Sequence, residues 1–282
     1  MSTLREKRKK ERRALRRRKT ADWTVVLILC AIAVCCGGYL IYHHWSVKQR
    51  ELEYERLRQE ETLSAATETV ITEPETEENT EETVIYCDPV YDFGQLHEQN
   101  EDIYAWIVVP GTQVDYPLLQ SGTDNYYLDY NLDHSKGYPG CIYTNQCNRK
   151  DFSDYNTVLY GHNMKNGSMF GSIHSFEDET FFDEHPYIYV YTENERLTYE
   201  IYEAAKFTDV YIPSEYVISS KDDRDQFLAD VREKVSDNKL HVREDIQIGE
   251  EDRLITLSTC VNGERNHRYL VIGVLVETAL YR

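Results

Sequence analysis

Twenty consecutive residues without a charge, Trp23–Tyr42 (WTVVLILCAIAVCCGGYLIY), constrain this chain more than any other feature. At about 1.5 Å of rise per residue, a helix of that length crosses a hydrocarbon core of roughly 30 Å. The run predicts one transmembrane helix. A cleaved signal peptide would have an apolar region of roughly 7–15 residues ending in small residues, whereas this run is longer and enters His43-His44-Trp45. The residues flanking Cys35 and Cys36 fit a lipid-attachment site poorly.

Charge is distributed to match. Residues 1–20 hold eleven Lys/Arg and two Glu, so a chain of net charge −19 carries −28 beyond them. Lys and Arg beside a span resist translocation. Residues 1–22 are therefore expected as a basic cytoplasmic tail, residues 23–42 as a signal anchor, and everything after as extracellular. A basic block also suits nucleic acid. Its place directly before the span, and an acidic outer part that would repel phosphate, argue against that partner.

Residues 43–84 read as a spacer. Val47–Glu61 is rich in helix formers, with apolar Val47, Leu52 and Leu57 among mixed charges, and predicts a short exposed helical stalk. Thr62–Thr83 contains seven Glu, no Lys or Arg and no aromatic residue. Such a segment has too little apolar surface to offset chain entropy and predicts a disordered acidic linker.

Residues 85–282 are long enough for one well-cored domain. Phe93–Val109 predicts a helix leading into a strand. Short β runs follow at Cys141–Thr144, Thr157–Tyr160, Tyr187–Tyr191, Leu197–Phe207, Leu254–Thr259 and Tyr269–Glu277, separated by Gly, Pro, Asn and Asp clusters. Many short strands in one domain predict a mainly β barrel or sandwich. A helix at Asp222–Val235 interrupts them: Ser220 suits the N-cap, and Phe227, Leu228, Val231 and Val235 share a face. Three of the seven cysteines, Cys30, Cys35 and Cys36, fall in the span as small apolar fillers, leaving Cys87, Cys141, Cys147 and Cys260 outside. Cys141 and Cys147 form a disulfide only if the chain turns sharply between them. No Cys/His spacing suggests zinc, and so acidic a domain leaves calcium open although no run has the spacing of an EF-hand loop, so neither a metal ligand set nor an organic cofactor is expected.

The strand Arg253–Cys260 (RLITLSTC) has Leu254, Thr256, Ser258 and Cys260 on one side, with Cys260 at its end before a polar loop. A lone cysteine is usually inert packing, so partners matter. His162 follows the β run Thr157–Tyr160 in YGHNM, and Arg268 opens the β run Tyr269–Glu277. If Cys260 ends one strand and Arg268 begins its antiparallel neighbour, both lie near one rim. A thiolate attacks carbonyls, an imidazole moves protons and a guanidinium stabilises negative charge. Arg265 is the nearby competitor for the last role.

TLSTC at Thr256–Cys260, YGHNM at Tyr160–Met164 and Arg268 downstream together resemble the sortase family over roughly Phe93 to Arg282. Asp115-Tyr116-Pro117-Leu118 and Met169-Phe170-Gly171 agree, and Leu-Ser-Thr-Cys with the helix before the catalytic strand resembles class B. The resemblance implies an eight-stranded β-barrel with peripheral helices. It implies a cysteine transpeptidase, in which Cys260 is the nucleophile, His162 the general acid and base, and Arg268 the stabiliser of the oxyanion. Ser258, Leu128 and Asn125 fall where the family lines its substrate groove. Val261 stands where some class B members have an acidic residue.

The implied partners are surface proteins bearing a C-terminal sorting signal, resembling Asn-Pro-x-Thr followed by Gly or Asn, and an amine of a peptidoglycan precursor or crossbridge. The setting is the plasma membrane of a Gram-positive cell. Pilus assembly, hydrolysis by a membrane-tethered cysteine peptidase, and a noncatalytic tyrosine-rich adhesion domain are the alternatives.

Overall fold

The computed structural model describes residues 2–61, 69–70, 85–234 and 240–282. Two compact units emerge, Met1–Glu53 and Tyr54–Arg282. The first consists of helix from the Ser2–Glu61 element. Its apolar stretch is long enough to cross a membrane by length and composition, and Trp23, Leu27, Ile28, Leu29, Val34 and Ile41 stand exposed along it.

The second unit opens with the last turns of that helix. The expectation of an exposed stalk is corrected here: Tyr54 and Leu57 are 4% and 2% exposed. Tyr54, Leu57 and Arg58 lie three and four residues apart and so share one helix face. The Tyr54 hydroxyl donates to Gly140 O at 3.1 Å. Arg58 Nε donates to Asp115 O at 2.7 Å, and its guanidinium lies 4.8 Å from the centre of the Tyr116 ring. One apolar stripe, two residues long, was hidden among charges on the other faces. Of the linker, only Thr69–Val70 is described, as a short strand; the rest of the expected disordered segment lies outside the described residues.

The strands are β1 (Thr69–Val70), β2 (Ile85–Cys87), β3 (Ile103–Val108), β4 (Asp115–Leu119), β5 (Ile142–Tyr143), β6 (Asn156–Tyr160), β7 (Tyr187–Tyr191), β8 (Glu195–Thr208), β9 (His241–Val242), β10 (Leu254–Val261) and β11 (Glu264–Tyr281). Neighbours run β11–β10–β6–β5–β4–β3–β7–β8, and pairing of β11 with β8 closes these eight into a barrel. The end of β11 also pairs with β2, which carries β1, and β8 carries β9.

Every residue from Leu254 to Thr259 is buried, because β10 is covered on both sides. Ile255 and Leu257 join Trp106, Leu118, Tyr199, Tyr269 and Val271 in one core. Leu254, on the opposite face, joins Val158, Phe207, Leu270 and Ile272 in a second core with Phe227 and Val231 of the helix Lys221–Lys234. Ser220 caps that helix as its sequence predicts, its Oγ accepting from Asp223 N at 3.3 Å; Val235 lies outside the described residues.

The last strand is longer than expected. It starts at Glu264 rather than near Arg268, because Asn262-Gly263 makes a two-residue connection in which Val261 pairs with Glu264. Gly263 takes φ +79° there, a left-handed conformation that glycine adopts without strain. No disulfide joins the described cysteines.

Candidate active site

Three adjacent strands bring the sequence-derived trio to one rim. β6 and β10 run parallel, with Tyr160 opposite Ser258. β10 and β11 run antiparallel, with Ser258 opposite Leu270 and Cys260 opposite Arg268. Side chains alternate faces along a strand, so Tyr160, Ser258 and Leu270 form one row. Two residues further on, Cys260 faces Arg268 in the next pair, and His162 follows the end of β6 by the same two residues. The attachment of β6 to β10 persists past Tyr160: Gly161 N donates to Ser258 O at 3.3 Å, Thr259 Oγ1 to Gly161 O at 2.8 Å, and Asn163 Nδ2 to Cys260 O at 2.8 Å.

Gly161 is the residue that lets His162 reach this rim. A Cβ at 161 would sit 2.5 Å from Ile142 Cδ1 and 2.8 Å from the Phe170 ring, closer than packed carbons approach.

Cys260 is exposed, and His162 and Arg268 are half-buried. His162 Nε2 lies 2.8 Å from Leu128 O. A carbonyl only accepts, so Nε2 carries the hydrogen and Nδ1 is left for proton exchange. The exposed Tyr138 ring stands over the same imidazole, with centroids 4.9 Å apart. Arg268 Nη1 donates to His267 O at 3.0 Å and Arg265 O at 3.3 Å. Arg265 thus meets Arg268 through its main chain, and its own side chain is exposed.

The three expected groove residues take different positions. Ser258 is 4% exposed, one row inside Cys260. Leu128 is 39% exposed and touches His162 through its carbonyl. Asn125 is left-handed, φ 58°, and its Oδ1 accepts from Tyr143 OH at 3.0 Å and Asn145 Nδ2 at 3.2 Å. Asn145 Nδ2 also donates to Tyr211 OH at 2.8 Å. Burial pushes the Tyr211 phenol up to about 12 and raises Tyr143 and Tyr160 as well. All three stay neutral at physiological pH, so this wall offers hydroxyls rather than charge.

Sequence reasoning missed Tyr138, Tyr211, His174 and Glu177. None has a local pattern that marks it: Tyr138 and Tyr211 lie in loops, and His174 and Glu177 in the 3-10 helix Gly171–Glu177. Among the described residues, no group of three or more His, Cys, Asp or Glu is arranged to hold a metal ion.

A sortase-domain family model matches residues 107–276, more than half of the chain. The chain belongs to the sortase family. Its relatives place this sortase in class B. It is 34% identical over 187 residues to a protein named Sortase B from Listeria monocytogenes, covering 64% of this chain and 72% of that protein. The structure of Clostridium perfringens sortase B is 31% identical with a TM-score of 0.59, covering 66% of this chain and all of the other. Sortase B from B. anthracis, solved in complex with AAEK1, is 27% identical with a TM-score of 0.62, covering 84% and 99%. The barrel with its peripheral helices is thus the class B sortase fold, and the chain is a cysteine transpeptidase.

Proposed function

We propose that this sortase is anchored by residues 23–42 with its N-terminus in the cytoplasm, and that its outward barrel joins surface proteins to the cell wall. The substrate is a C-terminal sorting motif of the Asn-Pro-x-Thr-Gly/Asn type, cleaved after Thr. The Cys260 sulfur, as thiolate, attacks the Thr carbonyl carbon and forms a tetrahedral oxyanion. Arg268, with a backbone N–H near Cys260, stabilises that charge as it develops. His162 gives a proton from Nδ1 to the departing amine, the C–N bond breaks, and a thioacyl-enzyme remains. A peptidoglycan amine then attacks the thioester, His162 takes its proton, and the new amide leaves Cys260 free. No step needs a cofactor.

The observation that carries this reading is the rim where Cys260 stands opposite Arg268 across β10 and β11, with His162 two residues past the Tyr160–Ser258 pair that ends the β6–β10 ladder. A nucleophile flanked by a proton carrier on one strand and a fixed cation on the other meets the geometric needs of acyl transfer. The test is to incubate the protein with a sorting-motif peptide and to weigh the products with and without an added amine. The expected results are an acyl adduct on Cys260 and diversion of product from acid to amide. An adduct elsewhere, or product that never contains the amine, would refute it.

A further inference from the structure

A second histidine reaches the main chain of the nucleophile. His174 lies in the 3-10 helix Gly171–Glu177. Its Nε2 is 3.0 Å from Cys260 O, and its Nδ1 is 2.7 Å from Glu177 Oε1. The ring stacks on Tyr269, centroids 5.0 Å apart and planes 24° apart. Asn163 Nδ2 donates to the same Cys260 O at 2.8 Å and sits 3.0 Å from His174 Nε2. On the far side, His241 Nε2 lies 3.1 Å from Glu177 O and pins the main chain of the carboxylate that holds His174.

These groups converge past the end of the β6–β10 ladder, whose last pair is Tyr160 and Ser258, and beside a register shift that leaves Arg265, Asn266 and His267 of β11 without partners in β10. A planar trans peptide turns as a unit. Holding Cys260 O therefore also fixes the Val261 N–H, which points the opposite way from that carbonyl. It also fixes the main chain from which the Cys260 side chain projects.

We infer that His174, gripped by Glu177 and acting with Asn163, is a positioning residue for the nucleophile that sets the plane of the Cys260–Val261 peptide. The inference rests on the reading of Cys260 as nucleophile. A carbonyl oxygen has two lone pairs, and the two side chains supply a donor for each. In this arrangement Nε2–H donates to the Cys260 carbonyl, and the Glu177 carboxylate orients the ring from Nδ1. His174 touches no reacting atom; its effect passes through the orientation of Cys260 and of the following N–H.

The test uses the full chain in detergent micelles, with His174→Leu, His174→Gln, Glu177→Gln and Cys260→Ala variants. Each is assayed for kcat and KM with a sorting-motif peptide and an amine and for thermal unfolding, and the His174 and Glu177 variants also for the rate of Cys260 alkylation by iodoacetamide. His174→Leu removes the donor and should lower kcat by about 100-fold, the effect of misplacing a reacting group by about 1 Å, with KM within about twofold. His174→Gln keeps an amide donor and should recover most of that loss. Glu177→Gln, which keeps an acceptor but not its charge, should fall between the two. Alkylation of Cys260 should slow in the same order, while the melting temperatures of the His174 variants stay together. Equal kcat loss in His174→Leu and His174→Gln, a loss confined to KM, or a kcat loss that tracks melting temperature would overturn the inference. Full activity in Cys260→Ala would instead remove the reading beneath it, and the inference with it.

Discussion

Arg268→Ala removes a guanidinium whose backbone stands directly across the sheet from that of Cys260. Opposed residues in an antiparallel pair have Cα atoms about 4.5–5.5 Å apart, well within the reach of an arginine side chain. An oxyanion formed in the proposed attack of Cys260 would lie within that reach. Loss of one preorganised oxyanion donor costs roughly 100- to 1,000-fold in kcat, about 2.7–4 kcal/mol. Arg268→Lys keeps the charge but loses the planar fork of donors and should fall in between. Arg265→Ala is the control with a structural reason: Arg265 gives Arg268 only its main-chain oxygen, which alanine retains. The assay is single-turnover acylation, followed by the mass of intact protein as the Cys260 adduct accumulates. Rapid acylation in Arg268→Ala together with a collapse in Arg265→Ala would refute the reasoning and move the oxyanion role to Arg265.

Three further outcomes follow from packing and charge. Phe227→Ala empties a fully buried position under β8 and β10 and should destabilise the barrel by about 3–5 kcal/mol, read as a lower urea midpoint; an unchanged midpoint would contradict the second core. A piece beginning at Ile85 loses Tyr54 and Leu57 and should be roughly 3 kcal/mol or more less stable than one beginning at Val47, about 6–12 °C in melting temperature; equal melting would mean that the helix end only rests on the barrel. Glu203 is 0% exposed, and burial raises its pKa from 4.5 to about 7 against the opposing pull of Arg232 at 3.4 Å. Between those values the folded chain holds a proton that the unfolded chain releases, so this group makes stability fall as pH rises. Glu203→Gln should flatten that slope and raise stability at pH 8 by on the order of 3 kcal/mol, measured by urea unfolding at pH 5 and pH 8; a steeper slope would reverse the sign.

How much of this was legible in the sequence depended on the range over which each signal acts. Alternation within Arg253–Cys260 sorted Ser258 and Cys260 from Ile255 and Leu257, and the structure assigns those two sets to different faces. Ser220 and the Phe227–Val231 spacing located the peripheral helix because capping and helical period are local. The Asn262-Gly263 turn was present in the letters but was read only as a polar loop, which shortened β11 at its start. His174 and Glu177 were illegible for a different reason. The partner of His174, the carbonyl of Cys260, is 86 residues away, Glu177 meets it only through His174, and no main-chain acceptor leaves a residue-type signature. Tyr54 and Leu57 failed on composition, since the charges around them dominate any average over the segment.

The contact between His162 and residue 128 is made by the main chain of Leu128, not by its side chain. The imidazole is oriented by an oxygen that every amino acid carries, while the side chain at the same position points its identity elsewhere and is exposed. On the proposal that Leu128 lines the substrate groove, exchanging its side chain would change peptide preference while the carbonyl that meets His162 stays in place, and a library randomised at position 128 should yield active clones with altered specificities.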